Sequence, residues 1–185
     1  MNKCIIGIAA ASLAAASAAN AQIVFNIFES GGNVELTMSG DFNLDATQGY
    51  ISDSTAYNGY SPNLGAIATG SGNTNYYGMT QSTWTPFGSG GFGNWDASGG
   101  DTVALFSNPV LGVPAGYVSG QALSATATKF GTTLAALGMT PGTYTTTLVG
   151  PTGVSDSVIV NVGIPAPGTA ALLGLGGLAA IRRRR

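Results

Sequence analysis

Apolar and polar residues alternate with a period of two along much of the chain between Gln22 and Gly163. This is the pattern of strands that turn one face to a core and the other to solvent. The runs QIVFNIF and NVELTMS flank ESGGN, so Ile23 to Phe28 and Val34 to Ser39 are predicted to form a hairpin across Gly31-Gly32. Val34, Leu36 and Met38 should face the core, with Glu35, Thr37 and Ser39 outside. Further strands are expected at Gly49 to Thr55, Ala66 to Thr69, Tyr76 to Thr80, Thr102 to Phe106, Ala122 to Thr128, Thr143 to Val149 and Ser157 to Val162. Short strands with turn-rich intervals predict an all-β domain, an antiparallel β-sandwich.

The stretch LGMTPGTYTTTLVGPTGVSDSVIVNVG is locally the most informative. Leu137, Pro141-Gly142 and Tyr144 at the opening of a strand resemble the turn before a late strand of immunoglobulin-like and fibronectin-like sandwiches, and GPTG then closes a last hairpin. The resemblance implies an immunoglobulin- or jelly-roll-like frame, with Tyr144 at a corner and its hydroxyl bonded to backbone. A single helical turn is expected around Leu134 to Leu137.

The segments flanking this domain have a different character. MNKCIIGIAAASLAAASAANAQ begins with the positive Lys3, continues through an apolar stretch from Ile5 to Ala19, and ends in Ala19-Asn20-Ala21. That order predicts a signal peptide over 1–21, cut by signal peptidase between Ala21 and Gln22. Cys4, the one cysteine, would leave with it, and the chain has no histidine. Disulfides, Cys/His zinc sites and the common Ser-His and Cys-His nucleophile pairs are then excluded from the exported domain, 22–163. Between the flanking segments Lys129 alone opposes eight acids, a formal balance of −7. An exported domain of that charge is a poor partner for nucleic acid.

The C-terminal segment, 164–185, reads IPAPGTAALLGLGGLAAIRRRR. Its uncharged run from Thr169 to Ile181 would make a hydrophobic helix of about 20 Å at roughly 1.5 Å per residue, short against a hydrocarbon core of about 30 Å. Arg182, Arg183, Arg184 and Arg185 would hold the end on the cytoplasmic side, leaving the preceding domain outside.

Signal peptide, proline motif, short apolar run and terminal arginines in this order resemble the PEP-CTERM sorting signal of bacterial exported proteins. The resemblance covers Pro165, Ala166, Pro167 and Gly168, the following GTAALLGLGGLAAI run and the four arginines. It implies that the chain is a substrate of an exosortase-type membrane enzyme that removes the tail. Ala166 stands where glutamate is usual, and Gly168 where serine is common. A rhombosortase-type tail is the near competitor, but Gly176-Gly177 lie inside the apolar run instead of before it. The stretches GYVSGQALSATATKF and SDSVIVNVG also resemble small exported proteins with this kind of tail, which implies fold and sorting and no site.

Candidate chemistry is sparse. Asp41, Asn43 and Asp45 open like a calcium loop, but Ala46 replaces the sixth-position glycine and Ser52 the terminal glutamate. On a strand these three would share one solvated face, with Phe42 and Leu44 on the other. No metal or other cofactor is therefore assigned. WTPFGSGGFGNWDASGGD places Trp84, Phe87, Phe92 and Trp95 in a glycine-rich stretch with Asp96 and Asp101. It lacks the Lys-Ser pair and βαβ setting of a phosphate loop. Its rings either plug one end of the sandwich or, through Trp84 and Trp95, stack on sugars of an extracellular polysaccharide. Thr143, Thr145 and Thr147 form a row on one strand face; flat threonine arrays bind ice, but a single strand is no array.

The expectation is a non-enzymatic exported protein, anchored transiently by its C-terminal helix and then left at the cell surface or in the extracellular matrix. The alternatives are a secreted carbohydrate-binding module and a hydrolase built on carboxylates such as Asp96 and Asp101.

Overall fold

The computed structural model describes residues 22–55, 57–79, 85–107 and 110–163. The expected signal peptide, the expected sorting segment with its expected hydrophobic helix, and Trp84 lie outside the described residues. Among the described residues no helix is long and apolar enough to cross a membrane.

The described chain is all-β and forms two sheets. The first contains β1 (Gln22–Ser30), β2 (Asn33–Gly40), β8 (Ala97–Gly100), β11 (Leu123–Lys129), β12 (Gly142–Val149) and β13 (Ser155–Val162), in the order β12-β13-β1-β2-β11-β8. The second contains β3 (Gly49–Thr55), β4 (Gly59–Ser61), β5 (Ala66–Thr69), β6 (Asn73–Gly78), β7 (Gly93–Asn94), β9 (Val103–Phe106) and β10 (Val110–Pro114), in the order β3-β6-β10-β9-β5-β4-β7.

The β1–β2 hairpin closes with Ser30 opposite Asn33, around Gly31 and Gly32 at φ 57° and 82°. Two successive positive φ values give the turn whose twist matches paired strands, and glycine adopts them without a Cβ clash. The alternation sets the burial as expected: Val34, Leu36 and Met38 are buried and Glu35, Thr37 and Ser39 are not. Phe25, Ile27 and Val160 from the first sheet meet Ile67, Leu105 and Leu111 from the second in one core. Fully burying a side chain of this size contributes about 1.5–3 kcal/mol.

One expectation about the sheets needs correction. β1 and β13 pair in parallel, Gln22 opposite Ser157 and Ile27 opposite Val162, so the first sheet is mixed. Strand pattern alone carries no direction; the chain leaves through two sheets and returns to lay its last strand beside its first. β4, β7, β8 and β10 were not expected, being short, glycine-rich or interrupted by proline. The predicted strand at Tyr76 to Thr80 lies earlier, at Asn73–Gly78.

Other local expectations hold. The Tyr144 hydroxyl donates to the Thr140 carbonyl at 2.8 Å. A single turn forms where Leu137 N–H donates to the Thr133 carbonyl at 3.1 Å. The segment after β2 is not a strand: Asn43 caps a 3-10 turn, Leu44–Ala46, by accepting the Asp45 N–H at 2.9 Å. Phe42 is fully buried beside it.

Candidate ligand-binding face

The outer faces of the two sheets differ. On the first, register aligns Thr143, Asn161, Asn26, Thr37 and Thr126 in one row across five strands. Thr143 donates to Asn161 Oδ1 and Asn161 Nδ2 to Asn26 Oδ1, each at 2.9 Å. The threonines of β12 thus begin a polar, solvated face of the usual kind.

On the second sheet the equivalent row is Ser52, Tyr76, Gly112, Ala104, Ala68, Gly59 and Asn94. Its centre is made of very small residues, yet Ala68 and Ala104 are fully buried. Aromatic rings cover them. Tyr57, Phe106 and Val110 pack with Ala68, Tyr76 and Ala104 as a second cluster, separate from the main core. A Cβ on Gly112 would fall 2.7 Å from both Tyr76 Cε1 and Thr74 Cγ2, so glycine lets the Tyr76 ring lie against the strand. A Cβ on Gly59 would likewise meet the Tyr57 ring at 3.0 Å.

The rings form a chain. Phe92 stacks on Tyr57 at 4.9 Å, Tyr57 approaches Phe106 at 6.0 Å, and Phe106 approaches Tyr76 at 6.1 Å. All three separations fall in the range of favourable tilted aromatic pairs. Phe92, just before β7, is 61 % exposed; at the opposite edge Ile51 is 56 % exposed. Ile51 sits where the β3–β6 register shifts, between the Tyr50–Tyr77 and Ser52–Tyr76 pairs. Such a bulge re-aims a side chain, and here Ile51 Cδ1 comes within 3.4 Å of where a Gly78 Cβ would be.

An open groove of about 470 Å³ runs between this chain of rings and β3, lined by Ile51, Ser52, Ser54, Tyr57, Tyr76, Phe106 and Val110. No lining residue carries a charge. Burial raises the pKa of both Tyr57 and Tyr76; for Tyr76, hydrogen bonds to Thr74 and the Tyr57 backbone partly offset this. Both phenols stay protonated and able to donate at neutral pH. The Tyr57 hydroxyl and Asn58 Oδ1 are buried without a hydrogen-bond partner among the described residues.

Comparison with protein-family models, curated proteins and solved structures returned no match.

The residues singled out in the sequence are distributed differently. Trp95 is 4 % exposed, packs against Tyr60 at 4.7 Å and donates its indole N–H to the Ala68 carbonyl at 3.1 Å. It cannot offer a face to a sugar, which corrects its assignment as a stacking residue. Phe87 is fully buried and lies 6.3 Å from Tyr144. These two rings close the core, and only Phe92 of the motif's described aromatics is exposed. The intervening glycines admit backbone: Ser89 and Gly90 N–H both donate to the Gly138 carbonyl, and a Gly90 Cβ would overlap the Leu137 carbonyl.

Asp96 binds Lys129 Nζ at 2.6 Å and accepts the Phe130 N–H at 2.8 Å. The ammonium contact first, then the amide, lowers the Asp96 pKa, and the same contact raises that of Lys129. Asp101 accepts the Ser124 N–H at 2.8 Å. The two acids flank β8 and cap opposite ends of β11, about 16 Å apart at roughly 3.3 Å per residue. Paired glycosidase carboxylates stand about 5–10 Å apart. Asp41, Asn43 and Asp45 do not converge as oxygen ligands, since Asn43 holds the turn and its N–H donates to Asp156 Oδ2 at 2.6 Å. No group of three or more metal-ligating side chains occurs among the described residues.

The rings of the outer face were missed because Tyr57, Tyr76, Phe92 and Phe106 are scattered over fifty residues of sequence. The available signal was a Gly-Ala-rich set of short strands with aromatics at their ends.

Proposed function

We propose that the chain is an exported, non-enzymatic protein of the cell surface or extracellular matrix, carrying a PEP-CTERM-like sorting signal processed by an exosortase-type enzyme. The observation that carries this reading is the ordered tail: Pro165-Ala166-Pro167-Gly168, a short apolar run, then Arg182 to Arg185. The arginines stop transfer and the proline segment is presented outside for cutting. Export is supported by the signal-peptide pattern, and the two-sheet domain fits between the two processing points, since β1 opens at Gln22 and β13 ends at Val162.

The facing sheets and the Tyr144 corner support an immunoglobulin- or jelly-roll-like sandwich. The parallel β1–β13 pair and sheets of six and seven strands depart from the usual seven- to nine-stranded plan.

Intact mass measurement of the protein from its native host, with and without the sorting enzyme, tests the processing. The expected product starts at Gln22 and lacks the arginines. An extracellular form retaining Arg182 to Arg185 would overturn the proposal.

A hydrolase resting on Asp96 and Asp101 has little support, because each carboxylate anchors one end of β11. A glycan-binding role resting on Trp84 and Trp95 loses Trp95 to the core.

A further inference from the structure

We propose that the outer face of the second sheet binds a neutral glycan chain, with Phe92, Tyr57 and Ile51 against its sugar rings and the exposed Ser52 and Ser54 toward its hydroxyls. The inference stands on the geometry of that face; export decides only where such a glycan would be met.

Four observations carry it. The face departs from the polar pattern that the same chain builds on its first sheet, where hydroxyls and amides occupy the equivalent row. Aromatic and aliphatic side chains continue across the second sheet from Phe92 beside β7 to Ile51 on β3. The successive ring separations of 4.9, 6.0 and 6.1 Å carry the path from Phe92 to Tyr76, and Ile51 lies one strand further; at about 4.8 Å for that last step the whole is roughly 22 Å at most, suited to a chain and larger than one monosaccharide needs.

The chemistry of the lining is the third. Sugar rings present C–H faces that pack on the electron-rich faces of aromatic rings, while their hydroxyls project around the ring edge. Rings with hydroxyls beside them match that arrangement. A wholly aliphatic ligand would cover the exposed Ser52 and Ser54 hydroxyls without giving them partners, which is costly once they are taken from water.

Charge is the fourth observation. The groove has no charged lining residue, and the domain carries eight acids against Lys129. An anionic polysaccharide would be repelled, so the ligand is uncharged.

The test uses the processed protein purified from its host and run in native gels containing hydroxyethyl cellulose, galactomannan or alginate. Retardation is expected in at least one neutral polymer and not in alginate. Phe92→Ala should weaken that binding about tenfold, the loss of one aromatic stacking contact. Phe130→Ala, at a ring that is 57 % exposed elsewhere, should bind normally. Ile51→Ser supplies a second variant at the other edge, and far-UV circular dichroism checks that each variant is folded.

Absence of retardation in both neutral polymers would overturn the proposal. So would stronger retardation by alginate, or binding unchanged in the folded Phe92→Ala and Ile51→Ser proteins. Sedimentation distinguishes self-association: a dimer abolished by Phe92→Ala, without neutral-polymer retardation, would reassign the face to a second copy of the chain. None of these results bears on the tail, whose processing is read separately from intact mass.

Discussion

Trp95→Ala is the sharpest test of how the glycine-rich stretch is used. If Trp95 closes the core, its truncation removes a side chain that is 4 % exposed and its contact with Tyr60 at 4.7 Å. Large aromatic-to-alanine changes in cores cost about 3–5 kcal/mol. The Ala68 carbonyl also loses its donor at 3.1 Å, and an unsatisfied buried acceptor costs about 1–3 kcal/mol. These costs overlap, so we expect a loss of about 4–6 kcal/mol, a large part of a domain stability of about 5–15 kcal/mol. The assay is urea unfolding followed by far-UV circular dichroism, because the substitution removes one of the two tryptophans. With a slope of about 2 kcal/mol per molar urea, the midpoint should fall by about 2–3 M. Trp95→Phe isolates the hydrogen bond and should lose less. Phe92→Ala, three residues away and 61 % exposed, should lose only its pair with Tyr57, about 0.5–1.5 kcal/mol. A Trp95→Ala protein as stable as Phe92→Ala would refute the core assignment.

Two further outcomes follow from the same packing and charges. Gly112→Val places a Cβ 2.7 Å from Tyr76 and Thr74, which should cost about 1–3 kcal/mol and displace the Tyr76 ring; an unchanged melting temperature would mean that the ring does not lie on that strand. The depressed Asp96 pKa adds stability that is present above the ordinary carboxylate range and lost as pH falls through the lower folded value. The raised Lys129 pKa adds stability that is present below about pH 10.4 and lost as pH rises through the higher folded value. The stability difference between the parent and Asp96→Asn should therefore be greatest between these limits and shrink in high salt; a difference independent of pH would show that the ion pair contributes nothing.

The strands that alternate strictly were legible without a structure. Val34, Leu36 and Met38 had to share a face, and Gly31-Gly32 could close their hairpin, because side-chain direction and turn preference are local properties. The same is true of the Tyr144 corner, where a ring and a carbonyl four residues upstream meet. Pairing direction was not legible: nothing in Gln22–Ser30 or Ser155–Val162 says that they run parallel, since that depends on the path of the whole chain. The second outer face was hidden for the same reason. Its small residues come from β4, β5, β9 and β10, and its rings from four separated segments; each reads locally as a weak strand or a loop.

By itself, the sequence determined the all-β class, the main hairpins and the acidic balance of residues 22–163, all of which depend on neighbouring residues or on totals. Only the tertiary structure decided that Trp95 points inward, that Asp96 and Asp101 are held apart by β8, and that Phe92, Tyr57, Phe106 and Tyr76 share a surface. The physical reason is that strand register converts distant positions into neighbours, and chemistry at a surface depends on which neighbours register supplies.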